Sequence, residues 1–298
     1  MKNLVKNLTE GHFGPAVAGN GAGTPGGFTS GETASSGDLC VSAPSAALPA
    51  SPRPECHLVA MTEERSLPAE KFRMLANRLV SISKERQLRV VQVTSSVVGE
   101  GKSTVAANLA VTLARRPNER VLLLEGDLHK PNLSQVLGVK LVPGLGEWWD
   151  SSPQPNLPPL YRINDLRLWF LPAGSTQNAG DMLLSPRIPV LVEAYSKAFD
   201  WVVVDSPPLL PLVDAALWAR WADGMLLVVR AGMPAKGDLH KGLESLDKAR
   251  LVGVVLNEAV DKERVHYYDQ YYGHTPEKPA SASPSGKKTS TSKIFSLE

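Results

Sequence analysis

Six short runs rich in apolar and β-branched residues constrain the fold of this chain more than any other feature. They show almost no alternation of polar and apolar residues, as expected for strands that are buried on both faces of a sheet. The predicted strands occupy residues 88–94, 120–125, 166–172, 201–205, 224–230 and 251–256.

Segments with helical periodicity separate these strands. They cover residues 68–86, 101–116, 180–197, 212–221 and 235–249. Alternation of strands and helices is typical of crossover connections around a parallel sheet. We therefore predict an α/β fold with a doubly wound, mainly parallel sheet and helices on both faces, in which ligands bind at the carboxyl ends of the strands.

The two ends of the 298-residue chain differ in composition from its centre. Residues 1–60 are rich in Gly, Ala, Ser and Pro, and residues 261–298 are rich in Ser, Pro and Lys. Such segments have too few large apolar groups to build a core. We expect a flexible leader over 1–60, one folded domain over 61–260 and a flexible tail over 261–298.

Charge and cysteine content exclude several classes of protein. A net charge of +2 gives no basic excess for binding nucleic acid. Cys40 and Cys56 both fall in the expected leader, so no disulfide framework is predicted and a reducing cytoplasm is the expected setting. The sequence shows neither an ordinary secretory signal nor a run of about 20 apolar residues, so we expect no direct membrane insertion.

A glycine-containing loop, "SVVGEGKS" at residues 96–103, connects the first predicted strand to its helix. Gly99 and Gly101 allow the backbone to approach phosphates closely, Lys102 can reach the β- and γ-phosphates, and Ser103 can bind Mg²⁺. Ser96 replaces the first glycine of the usual pattern. An ordinary tight turn would not explain the lysine, so we predict a P-loop NTPase-type nucleotide site.

Three carboxylates follow two other predicted strands. Glu125 and Asp127 lie in "VLLLEGDLHKP", and Asp205 ends "WVVVD". Carboxylates beside a phosphate loop can hold Mg²⁺ or orient the nucleophile in phosphoryl transfer. The alternative for each of them is a helix cap or a solvated turn residue.

Seven segments in this order resemble one protein family over residues 64–273. The segments are "GEGKST", "LLLEGDLHKP", "LPAGSTQNAGDMLLSP", "FDWVVVDSPPLLPLVDA", "ADGMLLVVRAG", "VGVVLN" and the terminal tyrosines. They are similar to the CpsD/CapB-type bacterial tyrosine kinases of capsule and exopolysaccharide synthesis, which are related to the MinD and ParA ATPases. Val97 stands where MinD and ParA have a signature lysine, which argues against a positioning ATPase.

The resemblance implies a set of functional positions. ATP would be bound by Gly99, Glu100, Gly101, Lys102, Ser103, Thr104 and Asn257, and Mg²⁺ by Ser103, Asp127 and Asp205. Catalytic roles would fall on Lys102, Glu125, Asp127 and Asp205.

Two positions depart from the family pattern. The family has two aspartates where this chain has Glu125 and Asp127, and the first is proposed to activate the incoming tyrosine. The longer Glu125 side chain would displace its carboxylate by up to ~1.5 Å, and misplacement on this scale can reduce a rate ~10²-fold. On the first helix Glu70 and Arg73 match a Glu-x-x-Arg-x-x-Arg face that joins subunits into a ring, but Ala76 replaces the last arginine. Glu70 and Arg73 could equally be a solvated pair.

The tyrosine cluster, which we define as Tyr267, Tyr268, Tyr271 and Tyr272, lies in the expected tail. Its residues could form a patch that docks on a partner. The resemblance implies instead that they are phosphoacceptors, modified by a neighbouring subunit in a ring. Each phosphate would add about 1.5–2 negative charges, which would favour release of the subunit.

The first hypothesis is thus an autophosphorylating protein-tyrosine kinase that regulates surface polysaccharide synthesis or export. The alternatives are a catalytically weak ATP-binding switch of the same machinery and, third, a MinD/ParA-like positioning ATPase. The resemblance also implies a membrane chain-length-determinant protein as activator and a cognate tyrosine phosphatase. The protein would be cytoplasmic, with recruitment to the inner face of the cell membrane through that partner.

Overall fold

The computed structural model describes residues 46–151, 157–210, 213–244, 247–259 and 293–295. Within these ranges nine strands form one sheet, in the order β1-β4-β5-β3-β6-β2-β7-β8-β9. The strands are β1 (Ala46–Leu48), β2 (Val90–Ser95), β3 (Val121–Glu125), β4 (Tyr161–Ile163), β5 (Leu168–Leu171), β6 (Trp201–Asp205), β7 (Gly224–Arg230), β8 (Leu251–Asn257) and β9 (Lys293–Phe295).

The α-helices of the described residues connect these strands. They are α1 (Val59–Thr62), α2 (Leu67–Glu85), α3 (Lys102–Ala114), α4 (Leu133–Leu137), α5 (Leu145–Asp150), α6 (Ala179–Leu184), α7 (Arg187–Ala198), α8 (Asp214–Trp221) and α9 (Lys236–Glu244). Short 3₁₀ helices cover Pro54–Cys56 and Lys248–Arg250.

The six central strands, from β5 to β8 in the sheet order, are all parallel, which confirms the predicted fold class. Only the sheet edges contain antiparallel pairs, where β4 meets β5 and β9 meets β8. Strands β3, β6 and β2 lie side by side at the centre. Their carboxyl ends therefore bring Glu125, Asp205 and the loop after Ser95 to one edge of the sheet.

Each central strand contributes side chains to a core on both faces. In β3, Leu123 packs in one core together with α2 and α3, while Leu122 and Leu124 pack in the opposite core together with α7 and α8. In β6 Val203 belongs to the first core and Val204 to the second. This two-sided burial is the physical reason for the apolar runs without alternation.

The predicted end of the flexible leader, residue 60, lies too far along the chain. We expected residues up to 60 to be flexible, but residues 46–60 pack on the domain, and Leu48 and Leu58 are each 1% exposed. Strand β1 pairs with β4, and the amide of Ser51 donates to the carbonyl of Gly138 at the end of α4. The buried side chains of Leu48 and Leu58 and these backbone hydrogen bonds join the segment to the domain. Residues 1–45 lie outside the described residues.

Other boundaries differ from the predicted ones for local reasons. The helix expected over 180–197 is two helices, α6 and α7, because Pro186 holds the preceding Ser185 in an extended conformation (ψ 141°). Within the helix expected over 235–249 the structure describes α9 (Lys236–Glu244) and the 3₁₀ helix Lys248–Arg250, and residues 245–246 lie outside the described residues. Strands β1, β4 and β9 and helices α1, α4 and α5 were not predicted. Strand β9 lies within the tail expected to be flexible over 261–298, so that prediction is wrong for residues 293–295, which pair with β8.

Helix α2 carries the positions that resemble a ring-forming face. Ser66 caps the helix by accepting from the amide of Ala69 at 3.3 Å. Arg73 Nε donates to Glu70 at 2.8 Å on the exposed side of the helix, so the predicted pair forms within the chain. Ala76 is 1% exposed and belongs to the core shared with α3. Ring assembly remains a prediction.

None of the helices in the described ranges combines the length and the apolar composition that crossing a lipid bilayer requires.

Candidate functional site

The phosphate loop lies between β2 and α3, as predicted, and two of its glycines have positive φ. Gly99 and Gly101 both have φ of 91°, a conformation that strains other residues. A Cβ at Gly101 would lie 2.2 Å from the side-chain nitrogen of Asn257. Asn257, at the end of β8, donates to the Glu100 carbonyl at 3.0 Å. Asn257 therefore lies against the loop, and glycine at 101 is required for this close approach.

Glu100 is turned into the protein, although sequence reasoning placed it among the nucleotide-binding residues. Its side chain is fully buried. One carboxylate oxygen accepts from the amide of Val97 at 2.8 Å, and the other from the amide of Arg230 at 3.2 Å. The carboxylate thus holds the loop in shape and fastens it to the end of β7.

Lys102, Asp127 and Asp205 form a buried charged cluster at the base of the loop. Lys102 Nζ lies 2.8 Å from Asp127 Oδ2 and 3.6 Å from Asp205 Oδ1. Burial alone would lower the pKa of Lys102, but the carboxylates of Asp205 and Asp127 raise its pKa overall. The lysine is therefore charged and held where it can meet phosphate oxygens.

Asp205 is the least solvated member of this cluster. It is 0% exposed, and neither carboxylate oxygen has a hydrogen-bond partner within the described residues. Burial raises its pKa to about 6, against the opposing effect of Lys102. Lys102, 3.6 Å away, compensates only part of this buried charge, so a second cation would stabilise it further. Together with Asp127 and the Ser103 hydroxyl on the adjoining helix turn, Asp205 provides the oxygen ligands that Mg²⁺ prefers.

Glu125 lies in register with Asp205 on the neighbouring strand, but its carboxylate has different partners. Oε1 accepts from the amide of Leu133 at 2.6 Å, and Oε2 accepts from the amide of Ala173 at 3.0 Å. Burial raises the pKa of Glu125, while these two hydrogen bonds act in the opposite direction. The structure brings Glu125 near the other acids, with its oxygens directed to backbone amides.

A cavity of about 660 Å³ opens above the cluster. The loop and the start of α3 form one side, and the segment between β3 and α4 forms the other. The lining residues are Val98, Gly99, Gly101, Lys102, Ser103, Thr104, Asp127, His129, Lys130, Pro131, Asn132 and Pro208. All the sequence-predicted loop residues except Glu100 line this cavity.

Sequence reasoning missed the second wall of the cavity and the residues that support it. His129 Nε2 lies 2.8 Å from Asp214 Oδ2, which joins the wall to α8. Trp218 Nε1 donates to the Gly126 carbonyl at 3.0 Å. A Cβ at Gly126 would lie 2.8 Å from the Trp218 ring, so a glycine is needed between the two acids. The only sequence signal was that "LHKP" directly follows Asp127.

The tyrosine cluster lies outside the described residues. The last described residue before it is Ala259, two residues beyond the end of β8.

Comparison with known proteins identifies the family. A model of the CobQ/CobB/MinD/ParA nucleotide binding domain matches residues 91–272, more than half of the chain. Tyrosine-protein kinase YwqD of Bacillus subtilis (strain 168) is 33% identical over 226 residues, which are 74% of this chain and 93% of that protein. The chain belongs to the bacterial tyrosine kinase family. The resemblance predicted from the sequence is thereby confirmed.

Two further relatives extend this bacterial tyrosine kinase assignment. The kinase domain of BceF covers 65% of this chain and 78% of its own, with 30% identity and a TM-score of 0.57. The succinoglycan biosynthesis transport protein ExoP of Rhizobium meliloti (strain 1021) is 34% identical over 214 residues, which are 69% of this chain and 27% of ExoP. The chain thus corresponds to about a quarter of ExoP.

Proposed function

We propose that this chain is an autophosphorylating protein-tyrosine kinase that regulates the synthesis or export of a surface polysaccharide. The observation that carries the proposal is the Lys102, Asp127 and Asp205 cluster at the base of a cavity bounded by a phosphate loop. Membership in a family of named tyrosine kinases selects the reaction among the many that a phosphate loop can serve.

The site residues divide into those that bind nucleotide and those that bind metal. Gly99 and the loop residues from Gly101 to Thr104 line the cavity at the start of α3, where backbone amides favour phosphate. Lys102 places its positive charge among the phosphates. Asn257 supports the loop through its hydrogen bond to the Glu100 carbonyl.

Ser103, Asp127 and Asp205 would hold Mg²⁺, which neutralises charge on the phosphates of bound ATP. The two oxygens of Asp205, which accept no hydrogen bond within the described residues, fit this role. In the reaction the γ-phosphoryl group of ATP is transferred to a tyrosine hydroxyl, yielding ADP, phosphotyrosine and a proton. The residues contribute mainly by positioning and by charge stabilisation.

The tyrosine cluster is the proposed phosphoacceptor, and the proposed direction of transfer is from one subunit to another. Ten residue steps separate Asn257, at the end of β8, from Tyr267. An extended chain of this length spans at most ~33–36 Å. This span would allow delivery either to the chain's own site or to that of a neighbour in a ring. Delivery to the neighbour would not require the tail to fold back across the strand ends.

The proposed activator is a membrane chain-length-determinant protein, and a tyrosine phosphatase would reverse the modification. The similarity to a segment of the transport protein ExoP supports a connection with an export system. We propose that such a partner recruits the chain to the inner face of the membrane and stimulates a kinase that is nearly inactive alone.

One observation favours the alternative of an ATP-binding switch with weak catalysis. Both oxygens of Glu125 accept hydrogen bonds from backbone amides. The carboxylate that was expected to activate the tyrosine hydroxyl is therefore not available to it. A switch would bind Mg²⁺ and nucleotide but would leave the tyrosine cluster unmodified.

Phosphotyrosine mapping of the purified chain, with ATP and Mg²⁺ and with or without the cytoplasmic part of its membrane partner, tests the proposal. Lys102→Met should abolish labelling and weaken nucleotide binding, because it removes the ammonium that Asp127 and Asp205 hold at the base of the phosphate loop. Lys197→Met, on the exposed face of α7, is the matched control and should label normally. Labelling that persists in Lys102→Met would exclude the loop from the reaction. Nucleotide binding without labelling under every condition would favour the switch.

A further inference from the structure

Glu125 ends β3 at the edge of the sheet where the site lies, and its side chain is 2% exposed. It does not line the cavity, whereas Asp127, two residues later, does. A proton acceptor must come within about 2.6–3.2 Å of the hydroxyl from which it takes the proton. Asp127 can be reached from the cavity, but the Glu125 carboxylate lies behind the cavity wall.

Glu125 joins two segments that approach the site from different parts of the chain. Leu133 is the first residue of α4, eight positions after Glu125. Ala173 follows β5, 48 positions after Glu125. The intervening residues 126–132 form the second wall of the cavity and include Asp127. A fixed start of α4 therefore fixes this wall.

The length of the glutamate is what permits both contacts. An aspartate at this position would withdraw the carboxylate by about 1.5 Å, the length of one carbon–carbon bond. The distances of 2.6 and 3.0 Å to the two amides would then exceed the range of a hydrogen bond for at least one of them. A glutamine keeps the length and retains one acceptor oxygen, but it loses the negative charge.

We infer that Glu125 is a positioning residue that fixes the cavity wall carrying Asp127, and that it does not accept the tyrosine proton. The inference rests on the proposed kinase function. In this chain the carboxylate of Glu125 binds the backbone that supports the site and does not contact the reacting atoms. The deviation from the family's aspartate is thus compatible with turnover.

The test compares Glu125→Gln with Glu125→Asp, because the two roles predict opposite orders of activity. A positioning residue needs length, so Glu125→Gln should keep kcat within about threefold of the unmodified chain. Glu125→Asp should lower kcat about tenfold to a hundredfold and raise KM for ATP, because the wall shifts. A general base needs a carboxylate, so Glu125→Asp would equal or exceed the unmodified chain, while Glu125→Gln would lose about 10²- to 10⁴-fold with KM unchanged. That second order of activities overturns the inference.

Hydrogen exchange gives a readout that does not depend on kinase activity. The amides of Leu133 and Ala173 should exchange about tenfold faster or more in Glu125→Asp, and only one of them should do so in Glu125→Gln. Asp223→Ala is the control: Asp223 accepts from the amides of Arg89 and Val90 at the opposite end of the sheet. It should lower the melting temperature without changing KM for ATP.

The two proposals can fail separately. If the unmodified chain neither binds ADP with Mg²⁺ nor labels itself, the kinase proposal fails, and exchange at the two amides still decides the role of Glu125. Unchanged exchange at both amides in Glu125→Asp would overturn the positioning role. If Glu125→Asp does not fold, the kcat of Glu125→Gln decides the question alone.

Discussion

Replacement of Asp205 by asparagine should stabilise the nucleotide-free protein and at the same time remove metal-dependent nucleotide binding. Asp205 is completely buried, and neither of its oxygens has a hydrogen-bond partner within the described part of the chain. At neutral pH it is charged, and Lys102, 3.6 Å away, compensates part of that charge. Asparagine has the same shape and resembles the protonated acid, so it removes the charge with little change in packing.

The magnitude follows from the pKa of Asp205, which burial raises from 3.8 to about 6. At 1.36 kcal/mol per pKa unit, the charged form destabilises the folded state by about 3 kcal/mol above pH 6. This penalty decreases as the pH falls from about 6 towards 3.8, because the folded state binds the proton first. Since the new amide group also needs a partner, we expect a net gain of about 1–3 kcal/mol at pH 7.

Thermal unfolding of the nucleotide-free chain between pH 4 and pH 8 measures this effect. The gain corresponds to a melting temperature roughly 3–10 °C higher for Asp205→Asn at pH 7. The two proteins should converge near pH 4. Asp165→Asn, in the exposed turn between β4 and β5, is the matched control and should not change the melting temperature. The same samples should show that Asp205→Asn has lost the stabilisation that Mg²⁺ and ADP give to the unmodified chain.

A lower melting temperature for Asp205→Asn at pH 7 would refute this reasoning, because it would mean that the charge contributes to folding through the contact with Lys102. A gain that stays constant from pH 8 to pH 4 would also contradict it, since proton binding could not then be the cause.

Two further predictions concern transfer and folding. A Lys102→Met subunit should become phosphorylated when it is mixed with an active subunit whose tyrosine cluster is changed to Phe, and the rate should rise with protein concentration; an unlabelled mixture beside concentration-independent self-labelling would show transfer within one subunit. Gly138→Ala should lower stability by about 1–3 kcal/mol in denaturant unfolding, because φ is +64° and the new Cβ would lie 2.1 Å from the carbonyl oxygen of Ser51. Gly237→Ala, in α9, is the control, because the new Cβ would meet nothing within 4 Å beyond its own helix backbone; equal loss in both variants would contradict the steric argument.

The central strands and the phosphate loop were predictable because their signals are local. The strand predicted over 201–205 and the one predicted over 224–230 match β6 and β7 residue for residue. Both are bounded by polar or small residues and are buried on both faces. The loop was also predictable, since Gly101, Lys102 and Ser103 act within one turn of chain. In contrast, β1 contains only one large apolar residue, Leu48, and its pairing with β4 spans more than 100 positions.

The orientations of the two buried glutamates could not have been predicted from the sequence. Glu100 and Glu125 stand in motifs that resemble nucleotide-binding ones, which suggested direct roles. Their actual partners are backbone amides, including those of Arg230 and Ala173, which lie 130 and 48 positions away. Every residue except proline has a backbone amide, so the sequence does not show which amide a buried carboxylate binds. Only the three-dimensional arrangement separates a carboxylate that faces the cavity from one that supports it.

The contact of Lys102 with Asp127 also has a consequence for the order of ligand binding. The ammonium already has a carboxylate partner at 2.8 Å before any phosphate arrives, so a phosphate must compete with Asp127 for it. A divalent cation on Asp127 and Asp205 removes that competition and frees the lysine. Metal and nucleotide should therefore tighten each other's binding by the same factor, as thermodynamic reciprocity requires. Without these ligands the single ammonium faces two carboxylates, so the cluster keeps a net negative charge that a divalent cation can compensate.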